Sequence, residues 1–271
     1  VYNLLKGNIT TTHVVAATEG ETELIQVLNR FRELIDSEYI GGEVDDQALM
    51  EGAIKGYVEA LGDPYSVYYT AEEMEDVIGY LNNWADGIIV RYKDISMLEN
   101  MTQYAKMTII NAMTDINHPC EMLADMYSLS KIRADFTKDK YLFVGAKGNI
   151  GLAWKEASEV MGFSLEQCCP AGYEVQDIPV SYNLDDAICG KDIICTDSLS
   201  KDKLKAFTDY QITCQRMARA KENAILNPCP PFFREEEVSE DVIDSKYFVG
   251  YGFKKYLLEI QQAVIIFNMI S

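Results

Sequence analysis

Tyr141-Leu-Phe-Val-Gly145-Ala-Lys-Gly148-Asn149-Ile-Gly151-Leu-Ala-Trp154-Lys-Glu-Ala-Ser-Glu-Val-Met161 is the stretch on which the fold class turns. An apolar run with strong strand preference passes through a turn holding three glycines into a segment patterned as a helix over 149–161. Strand, glycine turn and helix in that order make the first step of a βαβ unit. The glycines permit a tight turn, and the first N–H groups of the helix stand free for an anion or a polar ligand.

The same rhythm extends outward. Short apolar strands are predicted at 87–92, 107–111, 141–145, 164–169, 191–195 and 224–229. Helices near 96–105, 119–134, 149–161, 201–207 and 214–221 fall between them, and a last one covers about 253–270. This alternation predicts an α/β fold with a Rossmann-like, doubly wound parallel-sheet domain. Upstream, a small helical segment precedes it. Leu24, Val27, Leu28, Phe31, Leu34 and Ile35 recur at helical spacing, and Met50, Ile54, Val58 and Leu61 continue beyond a Gly41-Gly42 break. Gly62-Asp63-Pro64 closes the second helix in the order expected of a C-terminal glycine followed by proline.

Composition narrows the function classes. The 271 residues are 48% hydrophobic and 25% charged, which suits a globular chain and excludes wholesale disorder. Lys and Arg number 24 against 43 Asp and Glu, so a net charge of −19 argues against nucleic acid or an anionic membrane surface as the main partner. Residues 1–78 alone hold 4 basic and 16 acidic side chains, a net of −12. Seven cysteines with no CxxC spacing suit thiol packing in a reducing, cytoplasmic setting. Two histidines, His13 and His118, argue against a zinc site. The apolar run at 263–267 is far too short to span a membrane, and no secretory leader is expected.

Taken alone, the glycine turn admits a dinucleotide reading. Glu166 would accept a ribose hydroxyl, and Tyr251 with Lys255 would form a Tyr-xxx-Lys proton relay of an NAD(P)-dependent oxidoreductase. A strand needs a turn in any case, however, and Tyr and Lys four apart on a helix are commonly a solvated face.

A different set of motifs follows in order: Arg91 ending Gly-Ile-Ile-Val, then Ile-Ile-Asn-Ala-Met-Thr-Asp, Asn117-His118-Pro119-Cys120-Glu121, the Gly145–Gly151 turn with Asn149, Cys-Cys-Pro-Ala-Gly-Tyr-Glu at 168–174, and Asn227-Pro228-Cys229-Pro230 before Glu237-Val238. In order and spacing, 79–271 resembles the aspartate/ornithine carbamoyltransferase family, on its ornithine side. The resemblance implies transfer of a carbamoyl group from carbamoyl phosphate to an ornithine-like amine, with no metal or organic cofactor. By the same resemblance His118 donates to the carbamoyl oxygen and Arg91 contacts that carbonyl or the phosphate. Glu121 and the backbone at Cys229 and Pro230 complete the carbamoyl phosphate site, and Asn149 and Asp197 hold the ends of the amino acid. Each has a plainer reading: His118 or Asn149 as a helix cap, Arg91 and Asp197 as rim charges, Cys229 as a strand-to-loop turn.

Several departures are visible. No Ser-Thr-Arg-Thr-Arg, the family's phosphate-binding signature, stands before Arg91. Losing a buried charged partner costs about 2–5 kcal/mol, so two missing arginines weaken phosphate binding roughly a thousandfold or more. Glu121 replaces the Gln of the His-Pro-x-Gln motif, and Lys254 and Lys255 are expected to substitute as point charges for the late Asn-Arg pair. Residues 22–76, above all Asp45 to Ser66 with Thr70-Ala-Glu-Glu-Met-Glu, resemble the N-terminal helical region of C-terminal processing serine peptidases. The peptidase's catalytic portion has no counterpart, and Ser66 reads as a turn hydroxyl.

The chain is therefore expected to be a chimera with a junction near 77–79. Its parts are an irregular lead (1–21), the helical segment (22–78), a remnant of a second α/β, carbamoyl phosphate domain (79–118), an amino-acid-binding Rossmann-like domain (119–253) and a C-terminal helix packing back on the N-terminal part (254–271). Catalysis is expected to be impaired or absent, with a non-catalytic amino-acid-binding or interaction module as the alternative. A homo-oligomer, a trimer in the family, is a further expectation.

Overall fold

The computed structural model describes residues 19–64 and 66–270, so most of the irregular lead lies outside the described residues. The chain divides into two compact units, one up to Val77 and one from Ile78 onward.

In the first unit, α1 (Glu19–Glu38) and α2 (Asp46–Glu59) are followed by α3 (Ala71–Trp84), within which the boundary falls. These helices are held by local chemistry. Asp45 caps α2, accepting from the N–H groups of Gln47 at 2.9 Å and Ala48 at 3.3 Å. Thr70 and Glu73 form a reciprocal capping box at the head of α3: the Glu73 N–H donates to the Thr70 hydroxyl at 3.1 Å, and the Thr70 N–H donates to the Glu73 carboxylate at 2.8 Å. Gly62 takes φ +65°, the left-handed backbone that a glycine after a helix supplies. Ser66 donates its hydroxyl to Asp63, as a turn residue would. No described side chain before Ile78 is buried, and the predicted apolar stripe of Leu24, Leu28, Phe31 and Leu34 lies exposed.

The second unit is built on two parallel sheets. β1 (Gly87–Arg91) pairs with β2 (Thr108–Met113), with α4 (Ile95–Tyr104) between them in sequence and a register shift at Val90/Arg91. After α5 (Pro119–Ile132) comes a five-stranded sheet in the order β5-β4-β3-β6-β7. Its strands are β3 (Lys140–Val144), β4 (Ser164–Cys168), β5 (Val180–Ser181), β6 (Ile193–Thr196) and β7 (Ile225–Pro228). All pairings are parallel. Because β3 lies between β4 and β6, the strand order reverses there, and the crevice beyond those strand ends is where open α/β sheets bind ligands.

The central strands are apolar on both faces because both are covered. Tyr141 and Phe143 of β3 pack with Met122, Leu129, Trp154 and Phe163 on one side. Leu142 and Val144 pack with Ile188, Ile194, Leu226 and Val242 on the other. α6 (Asn149–Met161) occupies the predicted helix to the residue.

Three helix expectations change. Residues 201–207 are a string of turns closed by bonds such as Ala206 N–H to Lys203 carbonyl at 2.9 Å. Seven residues are too few to repay helix nucleation unless packing favours it, and here packing buries only Phe207. The 214–221 helix shortens to α8 (Cys214–Met217), capped by the Thr213 hydroxyl. The last helix begins as a 3₁₀ segment, Tyr251–Tyr256, before α10 (Leu257–Ile270), which packs on α5 and β2. Two further one-turn helices, α7 (Leu184–Ala187) and α9 (Glu240–Ile243), were not predicted.

Candidate functional site

The candidate site forms where strand ends and helix starts converge. Arg91 ends β1, and a cavity of ≈ 600 Å³ is walled by Arg91, Lys93, Thr114, Asp115, Gly148 and Asn149 among others. Two expected ligands, Arg91 and Asn149, thus share one cavity although 57 positions separate 91 from 149 in the numbering.

The glycine turn has a packing origin. A Cβ on Gly145 or Gly151 would stand 2.8 Å from the Phe143 ring, so those two positions are small because α6 rides close over β3. Gly148 is different: its nearest side-chain atom is an Asp197 carboxylate oxygen, 3.9 Å from where a Cβ would sit. Gly148, not Asn149, is the N-cap of α6. Asn149 is instead tied down at both ends of its amide. Its Nδ2 donates to the Thr114 carbonyl at 3.1 Å and its Oδ1 accepts from the Ile150 N–H at 3.0 Å.

His118 is the N-cap residue of α5 but makes no capping bond through its side chain, and Pro119 fills the first helical position. The turn ahead of it is fastened by Asn117, whose Oδ1 accepts from Asn111 Nδ2 at 2.7 Å and from the Thr114 hydroxyl at 3.0 Å. The His118 Nδ1 is buried and unpartnered in the structure. Burial lowers the imidazole pKa, and Arg91 and Lys254 push the same way against the opposing pull of Glu121. The ring is therefore kept neutral, able to donate one N–H.

Glu121 and Lys254 depart from expectation. The Lys254 ammonium donates to Glu121 at 2.6 Å and to Asp125 at 2.5 Å, and Asp125 also accepts from Asn227 Nδ2 at 2.8 Å. Burial alone would lower the Lys254 pKa, but the two carboxylates outweigh it and hold the ammonium charged. Lys254 is thus neutralised within the protein and is not a free point charge. Lys255 lies 4.7 Å over the Tyr256 ring.

Asp197 follows β6, accepts from the Ser198 N–H at 2.9 Å, and has its pKa pushed up to about 6 by burial. Burial also raises the Cys229 thiol, with Asp197 acting in the same direction. The Cys229 N–H extends the sheet by donating to the Thr196 carbonyl at 3.1 Å. Pro230 lines a separate cavity of ≈ 170 Å³ with Asn227, Tyr251 and Lys254, so the structure does not bring it to the Arg91 cavity.

The sequence motifs assign nothing to Lys93 and do not foretell the contacts of Asn117 or the Lys254–Asp125–Asn227 cluster. Nor do they foretell the environment of Glu237, which is 4% exposed. One Glu237 oxygen accepts from the Phe233 N–H at 2.7 Å, the other is buried without a partner, and burial pushes the carboxyl up to about 7. The position of Lys93 two residues after Arg91 is a usable signal. The partners of Lys254 lie more than 120 positions away in sequence and left none.

The elements of the dinucleotide reading are otherwise employed. Glu166 lies mid-strand and accepts from Lys191 at 2.5 Å. Tyr251 and Lys255 sit in a 3₁₀ segment, where residues three apart align and residues four apart do not. Among the described residues, no group of three or more His, Cys, Asp and Glu side chains could hold a metal ion, and no helix is long and apolar enough to cross a membrane.

Comparison with known proteins agrees with the motif order. Residues 56–131 match the family described as aspartate/ornithine carbamoyltransferase, carbamoyl-P binding domain, and 137–268 match its Asp/Orn binding domain. Residues 6–73 match the activating protease CtpB N-terminal domain, so the two kinds of match overlap across 56–73. The ornithine carbamoyltransferase of Hydrogenovibrio crunogenus is 30% identical over 215 residues, covering 73% of this chain and 71% of that protein. That of Desulfotalea psychrophila is 28% identical over 216 residues, covering 72% and 71%. The solved ornithine carbamoyltransferase from Pyrococcus furiosus superposes with a TM-score of 0.71 at 24% identity, covering 75% of this chain and 73% of that one, a likeness of fold. With both family domains matched in order and a relative at that identity along most of its length, the chain belongs to the aspartate/ornithine carbamoyltransferase family.

Proposed function

We propose that this chain retains the carbamoyl-transfer cleft of its family and runs it weakly, passing a carbamoyl group from carbamoyl phosphate to an ornithine-like amine. The observation that carries the reading is the single cavity shared by Arg91 and Asn149 at the ends of strands from both sheets, with His118 within electrostatic reach of Arg91. The neutral amine donates its lone pair to the carbonyl carbon, forming the C–N bond. Negative charge develops on the carbonyl oxygen, where the His118 N–H and the Arg91 guanidinium stabilise it. Collapse breaks the bond between that carbon and the phosphate oxygen. Phosphate departs with the electron pair, and the amine releases one proton.

Impairment follows from charge. The leaving phosphate is a dianion, the Ser-Thr-Arg-Thr-Arg signature is missing, and Lys254 is bound to Glu121 and Asp125. Colorimetric detection of the carbamoylated product, with carbamoyl phosphate and a panel of amines, tests the reading. Slow product formation abolished by His118→Ala is expected. No product with any amine, or product indifferent to His118→Ala, overturns the transfer reading; turnover as fast as that of an intact relative overturns the impairment. The same cation shortage favours a second reading, an amino-acid-binding module without catalysis. Calorimetry separates them: ornithine bound and carbamoyl phosphate not bound supports the second.

A further inference from the structure

We propose that Lys93 is the second cationic ligand of the phosphoryl group in the Arg91 cavity, standing in for guanidinium groups the family signature would supply. The inference rests on the transfer reading for the identity of the ligand but not for its geometry. Lys93 follows Arg91 by two positions, and both exposed side chains wall the same ≈ 600 Å³ cavity. Among the described residues neither side chain makes a hydrogen bond or an ion pair. Several other cations of the unit are committed: Lys254 to Glu121 and Asp125, Lys191 to Glu166, Arg133 to Asp139, Arg216 to Asp185.

The backbone holds Lys93 in place. The Asp115 N–H donates to the Lys93 carbonyl at 2.6 Å and the Tyr92 N–H donates to the Met113 carbonyl at 3.2 Å, pinning the segment after β1 to the end of β2. The N-terminal turn of α6 opens on the same cavity through Gly148 and Asn149, adding partial positive charge. Among the described residues that line the cavity, Asp115 is the one carboxylate. Two cations against one carboxylate leave a positive cavity in a chain of net charge −19, and a compact dianion is the ligand class that satisfies both cations at once.

Calorimetry on the full chain with inorganic phosphate, and separately with carbamoyl phosphate, tests this. Lys93→Ala is expected to weaken both about tenfold, the loss of one charge-assisted hydrogen bond. Lys93→Arg is expected to restore binding, and Asp115→Asn to strengthen it by removing the opposing charge. An affinity unchanged by Lys93→Ala overturns the proposal, as does absence of phosphate binding by the unaltered chain. A loss confined to carbamoyl phosphate also overturns it, since Lys93 would then read the carbamoyl end. Failure here is distinct from failure of the transfer reading. Phosphate bound through Lys93 without any product sinks only the latter, and product formed with an unchanged KM for carbamoyl phosphate in Lys93→Ala sinks only the former.

Discussion

The helices before Val77 and the sheet unit after Ile78 satisfy their sequences in opposite ways. In the first, a regular apolar stripe, Leu24, Leu28, Phe31 and Leu34, remains exposed, and order comes from caps and ion pairs such as Lys55 to Glu73 at 2.7 Å. In the second, Tyr141, Phe143, Trp154 and Leu226 are almost wholly shielded, and even charged groups lie inside. Helical periodicity alone therefore does not say whether a face is buried. The same contrast governs electrostatics. Exposed carboxylates of the first unit keep their water, whereas each buried charge of the second must be matched inside the protein.

Three experiments probe that contrast, taken from the largest expected effect downward. Lys254→Met strands Glu121 and Asp125 inside the protein without their cation, and a loss of about 3–5 kcal/mol in urea unfolding is expected. A loss as small as that from an exposed pair in the first unit would erase the distinction. Next is Glu237, whose carboxyl is pushed up to about 7 from the usual 4.5. The folded state then keeps a proton that the unfolded chain releases, so stability is fully present below about pH 4.5 and falls as pH rises to about 7, by up to about 3 kcal/mol. Asp197, raised to about 6, acts in the same direction. Glu237→Gln should flatten most of that decline, measured as urea midpoints at about pH 5 and about pH 8; an unchanged slope would remove Glu237 as its source. The smallest effect belongs to the first unit. Asp45→Ala is expected to cost about 1 kcal/mol, visible as faster hydrogen exchange along α2 and not in the sheet unit. Equal acceleration in both would show that the two do not unfold separately.

Legibility followed the same division. The run from Tyr141 to Met161 was readable because a strand buried on both faces, a turn crowded by the Phe143 ring and a two-faced helix each leave a strong local pattern. Residues 201–207 were misread because a few apolar positions in a short polar stretch serve a turn as well as a helix. At the site, motif order singles out Arg91 and Asn149 as candidate ligands, and both line one cavity. The resemblance assigns Glu121 to the carbamoyl phosphate site, while its carboxylate is bonded to Lys254, a residue on a distant segment.

What the amino-acid order determined by itself was the βαβ architecture and the family, because both are written in local spacing and in the succession of motifs. What only the tertiary structure decided was which cations are free to act. Lys254 and Lys93 look alike in sequence as lysines near candidate ligands. One is neutralised by two buried carboxylates and the other faces an open cavity beside Arg91. Coulomb attraction depends on separation in space, and no sequence interval records that separation.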